Sequence, residues 1–189
     1  MKLLNLGCGG NRPIAKHWVN IDNLHALFPD KTMPERQHMD TEPNYLNADL
    51  TNGIPLEDAS VDGILCSHIL EHLDCHESIR LLRECLRVLK ADGVLRISLP
   101  DPKKFYELSM QNCMDWGEPN PSSKSFIEYA LFFEGHKQHV SEDALLCMLF
   151  VAGYDTRKLL LSEYRKSFNP YLSEIDNRPV FSTFYEVKK

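Results

Sequence analysis

The feature that most constrains the fold is a short apolar run, Leu3-Leu4-Asn5-Leu6, that ends directly in Gly7-Cys8-Gly9-Gly10. A strand entering such a cluster must turn tightly while its backbone approaches something closely, and a Cβ obstructs one or the other. Trp18-Val19-Asn20-Ile21 follows after eleven residues as a second strand, ending at Asp22. Tyr45 to Leu50 gives a third, Val61 to Cys66 a fourth, and Val94 to Leu99 a fifth, stopped by Pro100. Between the last two, Ile79, Leu82, Leu86 and Leu89 fall on one helical stripe. Asp74 and Glu77 form a capping-box pattern at its start, and Gly93 lies past its end. Ser141 predicts a second helix running to Ala152, with Gly153 as its stop. Alternating strand and helix signals predict an α/β fold with a mainly parallel sheet. The tail adds two β-prone runs, Lys158 to Tyr164 and Val180 to Val187.

A chain of 189 residues is one domain's length and buries a core without staples. Its net charge is −6, and even the mildly basic residues 155–189 carry only 7 basic against 5 acidic side chains. That disfavours a general nucleic-acid binder. No apolar run approaches the roughly 20 residues of a membrane span, and the N-terminus lacks the apolar stretch of a secretory signal. The six cysteines form no C-x-x-C pair. The expectation is a reduced, cytoplasmic protein with no membrane contact.

Strand ends carry the chemistry. A dinucleotide loop, G-x-G-x-x-G, would need glycine at position 12, which is Arg12. Asp22 stands where a carboxylate can accept from both hydroxyls of a ribose, and Asp49 ends the third strand. In open α/β sheets ligands bind outside the carboxyl ends of the strands, so glycines, Asp22 and Asp49 at three successive ends mark a nucleotide-type site. Each also has a plain reading as a turn residue, as does Asn23.

At these residues the chain resembles a known family. Leu4-Asn5-Leu6-Gly7-Cys8-Gly9, Val19-Asn20-Ile21-Asp22, Ala48-Asp49-Leu50, Ile54 to Asp62 and Leu70-Glu71-His72-Leu73 follow the ordered motifs of class I S-adenosylmethionine (SAM)-dependent methyltransferases. The nearest flavour is the type 11 group, in its short form with L-G-C-G and W-x-N-I-D. Leu86 to Gly93, Gly135-His136-Lys137 and Ala152-Gly153-Tyr154 also resemble family elements. The resemblance implies a single Rossmann-like domain over 1–189, with a seven-stranded sheet whose last strand is antiparallel. It implies SAM as cofactor and S-adenosylhomocysteine as product. Gly7, Cys8 and Gly9 would cradle the methionine part, Asp22 with Asn23 the ribose, and Asp49 with Leu50 the adenine. Ser67 and His68 would line the methyl end. Eleven residues from Leu6 to Trp18, including Pro13, leave room for about two helical turns, so the first helix should be shortened.

Methyl transfer from a sulfonium needs alignment above all, and a hydroxyl acceptor also needs a base. The candidates are His68, His72, His136 and His139, with Glu71 and Asp101. His136 and His139, on a connection between two helices, are favoured, and Asp101 lies just past the fifth strand. Residues 101–140 are left for the acceptor side or a lid. There the aromatic set Phe126, Tyr129, Phe132 and Phe133 reads as core or as part of that lid. Cys66, His68, His72, Cys75 and His76 crowd together as a possible zinc set, but no metal is assigned. Ser67-His68-Ile69-Leu70 lacks the run that DNA amino-methyltransferases carry there, and Asn169-Pro170-Tyr171 only echoes it. The reading is methylation of a small-molecule acceptor, such as a sugar or metabolite hydroxyl. A non-catalytic SAM-binding protein and a zinc hydrolase are the alternatives. Oligomeric state is left open.

Overall fold

The computed structural model describes residues 1–23, 42–105, 107, 135–176 and 178–189. Seven strands form one sheet: β1 (Leu3–Leu6), β2 (Trp18–Asp22), β3 (Tyr45–Asn47), β4 (Val61–Ser67), β5 (Leu89–Pro100), β6 (Leu160–Ser162) and β7 (Ser182–Lys188). Their order is β3-β2-β1-β4-β5-β7-β6. The first five are parallel, and β7 runs antiparallel to both β5 and β6. This is the α/β sheet the sequence implied, with β1 and β4 side by side, so a switch point lies at their carboxyl ends.

Helix α1 (Cys75–Val88) begins with the expected capping box between Asp74 and Glu77. Helix α2 (Glu142–Ala152) is capped by Ser141 and stopped by Gly153 at φ +105°. Both cover one face of the sheet. Leu4, Leu6, Ile64, Cys66, Leu95 and Ile97 from the strands meet Leu81, Leu82, Cys85, Leu145 and Leu149 in one buried cluster.

The other face is built differently. Because side chains alternate along a strand, Leu3, Trp18, Leu65 and Val94 point away from the helices and form a small separate cluster with Leu172. Their same-face neighbours Asn5, Asn20, Arg96, Ser98 and Glu186 are buried and polar. Loops and a four-residue helix, Pro170–Ser173, cover this side. A helix satisfies its own carbonyls, whereas a loop pressed on a sheet does not, so the strands must supply donors. Asn5 Nδ2 donates to Asn11 O at 2.7 Å, and Asn20 Nδ2 and Asn44 Nδ2 donate to Pro13 O at 3.0 and 2.7 Å. Arg96, with no exposed side chain, donates to Glu163 O and Lys166 O and pairs with Asp176 and Glu186.

Two expectations change. The first helix is absent rather than shortened: residues 7–17 hold no helix, and asparagine amides organise that crossover instead. The third strand stops at Asn47, so Asp49 lies past it as the cap of a following 3-10 turn (Leu50–Asn52) that begins with Leu50. The aromatic set Phe126, Tyr129, Phe132 and Phe133, and most of the 101–140 segment, lie outside the described residues.

Candidate active site at the carboxyl edge of the sheet

The glycine turn leaves β1 with Gly7 at φ +54° and Gly9 at φ +48°. These are left-handed conformations that other residues adopt at a cost. Gly7 has a second requirement, because a Cβ there would lie 2.7 Å from Ile69 Cγ1, in the segment after β4. The turn is tied to β2 by the Asp22 carboxylate. Gly9 N donates to Asp22 Oδ2 at 2.8 Å, and Asn23 N donates to Oδ1 at 2.7 Å. Arg12 steadies it from outside, donating to Gly9 O at 2.6 Å while its Nε pairs with Glu42 at 2.9 Å. Cys8 is buried, and that burial, with the nearby Asp22 charge, pushes its thiol up to about 12. It is therefore a neutral wall of the turn and not a nucleophile.

The ends of β2 and β3 are held together at the same level. Ala48 N and the Tyr45 hydroxyl both donate to Asp22 O, at 3.0 and 2.9 Å. Asp49 is exposed one turn further on. The Thr51 hydroxyl and amide hold its carboxyl below the usual range, so it is a fixed anion at the site's margin.

Past β4, Ser67 Oγ bonds Ser98 Oγ at 2.7 Å. His68 sits at φ +54° with its Nε2 2.7 Å from Ser182 Oγ. The 3-10 turn Leu70–His72 follows. A distant segment is stapled to it: Lys137 N and Gln138 N donate to Glu71 O at 2.7 and 3.3 Å, and Gln138 Nε2 donates to Leu70 O at 3.0 Å. This brings His136 edge-on to His72, ring centroids 4.7 Å apart.

His139 is separate from that pair. It lines a cleft of about 210 Å³ with Asp101, Ser141, Glu142, Thr183 and Tyr185. Asp101 is partly buried, which raises its carboxyl. The Thr183 hydroxyl at 2.7 Å and the amides of Lys104 and Lys103 outweigh that and hold it below the ordinary range. Such a carboxylate orients its surroundings better than it accepts a proton. The zinc set considered from sequence does not assemble: Cys66 is in the core, while Cys75 and His76 are exposed on α1. Glu71 was one of the residues the sequence offered as a base, but its burial beside His72 and His136 was not foreseen. Its signal was a charged residue amid apolar neighbours in Ile69-Leu70-Glu71-His72-Leu73.

Residues 4–97 match the family model described as a methyltransferase domain. A probable S-adenosylmethionine-dependent methyltransferase of Mycobacterium tuberculosis is 44% identical over 52 residues, which is 28% of this chain and 18% of that protein. The matched part thus spans less than a fifth of that relative's length. Among solved structures, a SAM-dependent methyltransferase from Archaeoglobus fulgidus superposes with a TM-score of 0.60 at 20% identity, over all of this chain and 86% of that one. A Thermotoga maritima SAM-dependent methyltransferase, a possible histamine N-methyltransferase, gives 0.60 at 18% identity over 100% and 82%. These two likenesses show the fold. The methyltransferase-domain match over residues 4–97 and the shared fold together support a class I SAM-dependent methyltransferase.

Proposed function

We propose that this methyltransferase-family chain moves the methyl group of SAM to a small-molecule acceptor, with a sugar or metabolite hydroxyl as the accepting group. The observation that carries the reading is the Asp22 carboxylate bound to the Gly9 amide at 2.8 Å. It joins the turn after β1 to the end of β2 at the crevice where an open α/β sheet takes its ligand. In this reading Gly7, Cys8 and Gly9 hold the methionine part, Asp22 and Asn23 the ribose, and Asp49 and Leu50 the adenine. Ser67 and His68 border the sulfonium.

The residues fit that cofactor. The space beside Gly9 and Gly10 is open, and two carboxylates complement a cation-bearing nucleoside without phosphates. When bound, SAM supplies an already activated methyl group. An acceptor oxygen held beside Ser67 and His68 would take that methyl group, forming C–O as S–CH₃ breaks, with the bonding pair left on sulfur. The acceptor's proton goes to a base, for which His139 and His136 are the candidates, with Asp101 positioning the cleft around His139. The chain's net charge of −6 favours a neutral or cationic acceptor over a polyanion.

Calorimetric titration with S-adenosylhomocysteine tests the cofactor assignment. Asp22→Ala should weaken binding strongly, and unchanged affinity in that variant would remove the assignment. Release of S-adenosylhomocysteine in a panel of saccharides and small alcohols tests the acceptor class. His139→Ala should then lose turnover while keeping cofactor affinity.

A further inference from the structure

Glu71 is only 1% exposed, yet neither of its carboxylate oxygens accepts a hydrogen bond. A carboxylate buried in this way requires a cation close by. Its surroundings are imidazoles. One donor atom each from Glu71, His72 and His136 lie within 4.8 Å of one another. His68 Nδ1 lies 3.0 Å from Glu71 Oε1 but out of line for a hydrogen bond. The Ser182 hydroxyl donates to Arg178 O at 2.7 Å, so the hydrogen between Ser182 Oγ and His68 Nε2 belongs to the histidine. His68 is thus engaged through Nε2 with Ser182 and leaves both Glu71 oxygens without a hydrogen bond.

We propose that Glu71, His72 and His136 bind one transition-metal dication of the zinc, manganese, cobalt(II) or iron(II) class. Two imidazoles and one carboxylate suit these ions, whereas magnesium and calcium take oxygen donors. Bonds of about 2.0–2.2 Å put the donors of one ion roughly 3–3.5 Å apart, so small side-chain rotations close the set. The backbone already holds the partners in place, through the bonds from Lys137 N and Gln138 N to Glu71 O and from Gln138 Nε2 to Leu70 O and Ser78 Oγ. Three protein donors leave coordination positions open. The site adjoins the glycine turn, because Ile69, the residue packed on Gly7, immediately precedes the turn that carries Glu71 and His72.

What fills the open positions rests on the methyltransferase reading: an acceptor oxygen, whose bound hydroxyl the ion would make more acidic. His136 is then a ligand, and His139 alone remains as the candidate base.

The test uses the full chain stripped with a chelator. It is titrated with Co²⁺ followed by visible absorption, and with Zn²⁺ by calorimetry. One ion per chain is expected, and Glu71→Gln and His136→Ala should each weaken it by more than about tenfold. Titration of the same samples with S-adenosylhomocysteine checks the cofactor site independently, so failure of one reading is distinguishable from failure of the other. Circular dichroism confirms folding. If Glu71→Gln does not fold, His136→Ala decides. A wild type that binds neither ion, or folded variants that bind like it, overturns the proposal and leaves Glu71 as part of a structural contact with His68.

Discussion

Arg96 and Asp176, eighty residues apart, face each other through two parallel hydrogen bonds, Nε to Oδ1 at 2.8 Å and Nη2 to Oδ2 at 2.5 Å. Neither side chain reaches solvent. The same guanidinium meets Glu186 Oε1 at 3.0 Å, and Phe184 stacks beneath it at 4.9 Å. Removing the cation would strand two buried carboxylates. Arg96→Met should therefore cost about 3–5 kcal/mol in urea unfolding. A loss below about 1 kcal/mol would show that the cluster relaxes freely and holds nothing.

The two glycines of the turn should respond differently to alanine. Gly9→Ala meets open space and carries only the left-handed strain, about 1–2 kcal/mol. Gly7→Ala adds a collision with Ile69 Cγ1 and Cδ1 at 2.7 and 2.9 Å. It should be the costlier change, and a double-mutant cycle with Ile69→Ala should recover the difference. Equal costs, with no coupling to Ile69, would contradict the close approach.

Thiol reactivity should divide by burial. Cys75 and Cys147 are exposed; Cys8, Cys66 and Cys85 are buried, and burial pushes all three thiols up. In a Cys113→Ser background, alkylation at pH 8 should label two cysteines rapidly and the other three only after unfolding. Rapid labelling of Cys8 in folded protein would mean that the turn opens far more readily than its hydrogen bonds imply.

Asp101 sets an acid limit that Thr183 should move. Its folded carboxyl lies below the ordinary value of about 3.9. The stability it contributes is thus complete above that value and is lost as pH falls through the lower folded one. Thr183→Val removes the hydroxyl at 2.7 Å. It should raise the Asp101 carboxyl in an NMR titration and start acid unfolding at higher pH. An unmoved titration would assign the depression to Lys104 and the local amides.

The helix-covered half of the fold was legible where its signals are local. The capping box, Ser141 and Gly153 are such signals, and each appears where the residues put it. The α1 stripe is misphased, because the buried face is Ser78, Leu81, Leu82, Cys85 and Val88, and Leu89 already belongs to β5. The strand ends with Gly7, Gly9 and Asp22 were legible for the same reason. The loop-covered face was not, because its order comes from side chains reaching backbone far away in sequence, such as Asn11 Nδ2 on Ile175 O at 2.8 Å. Polar residues inside strands, Asn5, Asn20 and Arg96, were the visible sign. The meeting of Glu71 and His72 with His136 likewise depends on a staple between segments more than sixty residues apart.

That face also bears on how the chain can be cut. The family match ends at residue 97, yet the crossover that carries the glycine turn is anchored on Ile175, and Arg96 finds its acids at Asp176 and Glu186. A fragment ending near residue 97 would carry every residue proposed above for the cofactor and would lack the counter-charges and the carbonyl that brace them. Splitting, permuting or fusing this protein inside residues 160–188 is expected to loosen the glycine turn from the opposite end of the chain.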